Sequence, residues 1–179
     1  MRYDKKKRES IVMNNQNFTT ATQELLQRAI TLATELKNPS LTPLHTLAAG
    51  LENDFCTSFL SLMNINFEKL NQLVDNELKH LPQITGGQLA MDYATQDFLA
   101  ACQRDAKEFQ DTYVSLDMIM LQWATTKHLP KIILDFFNQS GFTREAVLTH
   151  IKTLRKGKNV KDQHAEKQAS WHTIEKKKY

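Results

Sequence analysis

Glycine and proline are scarce in this chain, five and four among 179 residues. That is too few for the many tight turns of an all-β protein. No apolar run approaches the roughly 18 residues that a membrane-spanning helix requires. No apolar segment follows the basic start at Arg8, so no secretory signal is expected and the chain reads as cytoplasmic. The only two cysteines, Cys56 and Cys102, show no CxxC spacing and read as small apolar core residues in a reducing compartment. A phosphate-cradling loop is missing as well. Gly157-Lys158 is followed by Asn159, and Lys152 stands where the first glycine of GxxxxGK[ST] belongs, so the chain is not expected to hydrolyse ATP by itself. Six histidines show neither an HExxH motif nor i,i+4 pairing, and no zinc site or other cofactor is expected.

Charge is unevenly placed. Residues 1–17 carry 5 basic and 2 acidic side chains and residues 152–179 carry 9 and 3, which leaves 9 basic and 15 acidic groups for residues 18–151. Nucleic-acid binding needs cations gathered on one ordered face, so basic ends around an acidic body argue against it. Lys152, Arg155, Lys156, Lys158 and Lys161 have no interleaved aromatics for base stacking and read as a solvated linker.

What the chain does have is a repeat. Ala21-Thr22-Gln23-Glu24-Leu25-Leu26 returns as Ala94-Thr95-Gln96-Asp97-Phe98-Leu99, 73 residues later, and Leu41 and Thr42 meet Val114 and Ser115 at the same offset. A repeat of that length holds several helices and implies two copies of one unit packed as a pair. Local signals fill in each copy. Thr20-x-x-Gln23 reads as a capping box opening the first helix, which Asn38-Pro39 ends. Thr42-Pro43 starts a second helix with an N-cap hydroxyl and a proline at the first helical position. A third helix is expected over about 55–63, and Asn66 caps a fourth. In the second copy a long helix covers about 93–110, Ser115 caps the next, Pro130 sits near the start of the third, and Thr143 caps the last to about Leu154. The expected fold is all-α: two tandem four-helix repeats related by a pseudo-two-fold, with flexible basic tails. Its segments are a basic lead-in at 1–17, repeat one at 18–80, a linker at 81–91, repeat two at 92–154, and a basic tail at 155–179. A further charged helix over 163–178 would have Trp171 as its anchor, and Met13 could serve as an alternative start.

Few residues stand out as sites. His45, two residues into the second helix, reads as a buried histidine that fixes local packing. Asp111 and Asp117 flank a helix–helix turn in repeat two. Asp117 sits in the first turn after Ser115, where a carboxylate meets the positive end of a helix; the alternative reading, second to this one, is a surface acidic pair for partner or peptide contact.

The doubled four-helix unit, Thr42-Pro43-Leu44-His45, the inter-repeat Leu81-Pro82-Gln83 before Gly86-Gly87, and the exit Arg155-Lys156-Gly157-Lys158-Asn159-Val160-Lys161-Asp162-Gln163 together resemble the Clp N-terminal domain family. Within it the subtype looks like that of the ClpB disaggregases, over about residues 14–168. The resemblance implies a non-catalytic substrate-recognition module on a mobile linker above an AAA+ ring. Such a module takes unfolded or aggregated polypeptide into an apolar groove with an acidic rim. ATP would be used by AAA+ modules that lie outside this chain, and the isolated domain is expected to be a monomer. It also implies that Asp111 and Asp117 match an acidic pair tied to that work and that Met118 matches an apolar groove position. Ala101 and Asp105 stand where the family's groove is more apolar, implying a different selectivity. A family threonine linked with substrate binding aligns with Asn15 and lends it no role, and Leu44 stands where the ClpC-type phosphoarginine site has glutamate. The alternative expectation is a stand-alone adaptor that docks on a Clp-type ring through the same surface.

Overall fold

The structure is a computed structural model that describes residues 17–167. Eight α-helices appear among them, in two groups of four. Repeat one holds α1 (Thr20–Glu35), α2 (Pro43–Gly50), α3 (Asp54–Leu62) and α4 (Phe67–Lys79). Repeat two holds α5 (Tyr93–Glu108), α6 (Leu116–Trp123), α7 (Lys131–Gln139) and α8 (Arg144–Arg155). The first two helices of each group keep the 73-residue offset at both ends, Thr20 to Tyr93 and Gly50 to Trp123. The last two are shifted by four more residues, because the connection before α7 is longer.

Caps set these boundaries. Asn53, Asn66, Asp92 and Thr143 each accept a hydrogen bond from the backbone N–H three residues on, the standard relief for the unpaired donors of a helix start. The first helix starts one residue earlier than its sequence pattern suggests. Thr19, not Thr20, is the cap and accepts from Thr22 N–H, while the Gln23 amide reaches the Phe18 carbonyl at 2.8 Å. Lys37 and Gln110, the residues after the helix-ending Leu36 and Phe109, both adopt positive φ, and so do Asn64 and Gly141. The pseudo-symmetry thus extends to the turns.

Two short strands tie the repeats together. β1 (Ser40–Leu41) pairs in parallel with β2 (Ala90–Met91), in register Ser40 to Ala90 and Leu41 to Met91. The matching bridge joins Phe18 to Val114, also in parallel. Each repeat's lead-in residue therefore pairs with the stretch between the first two helices of the other repeat. β2 lies inside the expected 81–91 linker, which is consequently part of the body: Ile84 N–H also donates to the Lys37 carbonyl at 2.9 Å.

One continuous core runs through both repeats and contains α2 and α6, whose residues are all buried. Cys56 and Cys102 are fully buried free thiols within it. The exit segment is not a free tail as far as Lys167. Val160 and Ala165 enter the core, and a 3₁₀ turn (Ala165–Lys167) closes against the start of α1 through Thr20 N–H to the Gln163 carbonyl at 2.8 Å. Asn15, Trp171 and the expected helix beyond Lys167 lie outside the described residues. No described helix is long and apolar enough to cross a membrane.

Candidate functional site

His45 lies in the wall between α1 and α2 with no exposed surface. Its Nδ1 accepts from Thr42 N–H at 3.0 Å, so Nε2 carries the proton and donates to Asn38 Oδ1 at 2.8 Å. Asn38 Nδ2 in turn donates to the Pro82 carbonyl at 3.0 Å. Burial lowers the pKa of His45 to about 4, partly offset by Asp92, so the ring is neutral at pH 7 and works as a neutral clamp. This is the packing role its position suggests.

At the matching place in repeat two the clamp is charged. Arg155, the last residue of α8, reaches Asp111 with two parallel bonds of 2.8 and 2.9 Å and Asp117 with bonds of 2.8 and 3.1 Å. Its guanidinium lies 4.7 Å from the Phe109 ring centre. Ser115, the N-cap residue of α6, donates its hydroxyl to Asp117. Burial by itself would lower the pKa of Arg155, but Asp117 and Asp111 outweigh it and hold the group charged. Val160 N–H donates to Asp111 Oδ1 at 2.9 Å, bringing the exit segment into the same cluster. Glu166 completes it: Oε2 accepts from Leu116 N–H at 2.9 Å and from the Thr19 hydroxyl at 2.8 Å. A carboxylate from the exit segment thus caps α6, and burial raises its pKa.

The surface acidic pair expected at Asp111 and Asp117 is therefore corrected in its placement. Both side chains are fully enclosed and share the donors of the buried Arg155 guanidinium. The structure does bring Asp111 and Asp117 together, but around Arg155 and not on a rim. Met118 is also wholly buried and occupies, in α6, the position that His45 holds in α2. Arg155 and Glu166 fall in the expected basic tail at 155–179, yet both are buried. Arg155 continues the inward stripe of Val147 and Ile151 at four-residue spacing, a signal that separates it from its exposed neighbours Lys156 and Lys158. Asp105 is likewise internal. It accepts from Gln122 at 2.7 Å and holds Arg144 at 2.8 and 3.2 Å.

An opening in the helical wall of repeat one is a cleft of about 140 Å³ lined by residues of α1, α2 and α4. No group of three or more potential metal ligands occurs among the described residues.

The profile of the Clp repeat (R) N-terminal domain matches residues 17–136. The chaperone protein ClpB of Porphyromonas gingivalis is 33% identical over 158 residues, 87% of this chain, and that of Bacteroides thetaiotaomicron is 29% identical over 156 residues, 86% of this chain. The chain spans 18% of the length of each. Among solved structures, the Hsp104 N-terminal domain from Candida albicans superposes with a TM-score of 0.71 at 21% identity, covering 84% of this chain and 99% of that one. A ClpV N-domain in complex with a VipB peptide gives 0.60 at 16% identity, covering 76% of this chain and 85% of that one. At such identities these structures speak for the fold.

Proposed function

This chain belongs to the Clp repeat N-terminal domain family, and on that premise we propose that it is the polypeptide-recognition module of a ClpB-like disaggregase. In this reading it binds unfolded or aggregated chains weakly and passes them to an AAA+ ring. It performs no covalent chemistry, needs no cofactor, and leaves ATP use to the ring; its setting is the cytoplasm. The observation that carries the reading is the identity to ClpB chaperones, which extends over 87% of the chain. The ClpV N-domain complex with a VipB peptide supports it, since a domain of this fold there holds a peptide.

Asp111, Asp117 and Met118 serve binding from within, as positioning residues. The two aspartates fix the exit segment and the start of α6 through Arg155, and Met118 supports the same helix from the core. Titration with permanently unfolded carboxymethylated lactalbumin tests the function. Saturable binding to that protein, and none to native lactalbumin, is the expected result. No binding to the unfolded form at any attainable concentration overturns it.

A further inference from the structure

The cleft in repeat one is built for a particular kind of side chain. Leu32, Ala48, Leu51, Val74 and Leu78 form its walls, and the exposed Glu52 and Asp75 stand at its mouth. Cavities of about 150 Å³ with such walls hold a benzene-sized group, so about 140 Å³ accepts one aliphatic side chain and little more.

The pseudo-two-fold provides an internal comparison. In repeat two the counterpart of Ala48 is Leu121, a larger side chain that is fully buried. Arg144 lies across the mouth, bonded to Asp105, the counterpart of Leu32, and to Thr125, the counterpart of Glu52, at 3.0 Å. Lys152 replaces Asp75 there. Repeat two therefore carries its own occupant, an aliphatic group beside a guanidinium that neutralises a carboxylate. Repeat one lacks both parts. Phe67, the counterpart of Arg144, remains 40% exposed. Arg28 engages Glu52 at 3.1 and 3.2 Å from outside the cleft, and Asp75 leaves the mouth acidic.

We propose that this cleft, in repeat one and not repeat two, receives a branched aliphatic side chain of a bound polypeptide that is flanked by lysine or arginine. The proposal rests on the polypeptide-binding reading above and gives it a site and a sequence preference. Aliphatic burial supplies the attraction, and Asp75, the mouth carboxylate left without Arg28, selects the flanking charge.

Fluorescence anisotropy on the full chain tests it, using labelled Gly/Ser peptides with a central Lys-Leu-Lys, Lys-Ser-Lys or Glu-Leu-Glu. The first is expected to bind about tenfold tighter than Lys-Ser-Lys, the range that a filled against an unfilled apolar pocket provides, and a few-fold tighter than Glu-Leu-Glu, which fills the pocket but brings like charge to the mouth. Ala48→Leu, which copies the plug of repeat two, is expected to lower that affinity by a similar factor. Asp75→Lys, at an exposed position that keeps the fold, is expected to turn the preference toward Glu-Leu-Glu, and it carries the test should Ala48→Leu not fold. Equal binding of the three peptides, or an unchanged preference in Asp75→Lys, overturns the proposal. If unfolded lactalbumin still binds in that case, the site is elsewhere and the general function stands. If neither ligand binds, both readings fall.

Discussion

Trp123 lies over Gly50, the residue that holds its own place in the other repeat. The indole of one copy thus occupies the space left by the missing side chain of its counterpart, and its N–H donates to Thr46 Oγ at 3.1 Å. A Cβ added at Gly50 would stand 2.9 Å from Trp123 Cζ2 and closer still to Cη2, too near for either to remain in place. The asymmetry of one large and one absent side chain lets two buried helices approach where symmetric medium-sized residues would hold them apart.

Gly50→Ala is therefore expected to lower stability by about 1–3 kcal/mol, an overpacking cost. The sign should reverse once the indole is removed. In a Trp123→Leu background the same change should stabilise by about 0.5–1 kcal/mol, because alanine is the better helix former. Urea denaturation of the four proteins of the cycle measures the coupling. Equal effects in the two backgrounds would show that the contact does not govern the packing.

Arg155→Ala strands two buried carboxylates and should cost about 3–5 kcal/mol. Repeat one indicates how to repair it. It places Asn38, Leu44 and Leu78 where repeat two has Asp111, Asp117 and Arg155. The triple variant Asp111→Asn, Asp117→Leu, Arg155→Leu should recover most of the loss, and guanidinium denaturation of the single and triple variants compares them. A triple variant no more stable than Arg155→Ala would mean that the ion cluster itself, and not merely an uncompensated charge, holds this corner.

Acid should weaken the fold through His45. Its pKa is about 4 in the folded chain against 6.5 for a free histidine, so the unfolded chain binds the extra proton first. Stability contributed by the neutral ring is complete above pH 6.5 and declines as pH falls toward 4, by about 3 kcal/mol in all. Glu166 acts in the opposite sense. Its raised pKa makes its contribution largest at low pH and smaller as pH rises through the folded value. Denaturation midpoints of the wild type and His45→Gln across that window isolate the histidine. The variant should show the shallower slope, and parallel slopes would rule out His45 as the titrating group.

Cys56 and Cys102 should resist labelling. Burial raises both thiols well above their usual range, and neither has an exposed surface. Ellman's reagent should report no reaction in native protein beyond the rate of unfolding and two thiols in guanidinium. Rapid titration of either in native buffer would contradict the packing around α3 and α5.

Much of the architecture was legible in the chain. Pro43 after Thr42, Asn66 and Thr143 mark helix starts through bonds that span three or four residues, and such signals survive without tertiary context. The cap at Thr19 stands one residue before the pattern, and its hydroxyl also donates to Glu166, 147 positions away. Asp111 and Asp117 stood out correctly as a pair, but their charge by itself suggested solvent. Only Arg155 explains why they are buried.

The sequence by itself determined the doubled helical unit and most of its helix starts, since repetition, capping and apolar spacing are read along the chain, and its motifs carried the resemblance to the family. The tertiary structure alone decided which charges are internal and where the wall of repeat one keeps its cleft. Arg155 meets its partners across 38 and 44 residues, and Arg144 meets Asp105 across 39, so nothing in the local spacing announces either pair. Burial makes those pairings obligatory, because a charge removed from water must find its counter-charge wherever the fold brings one.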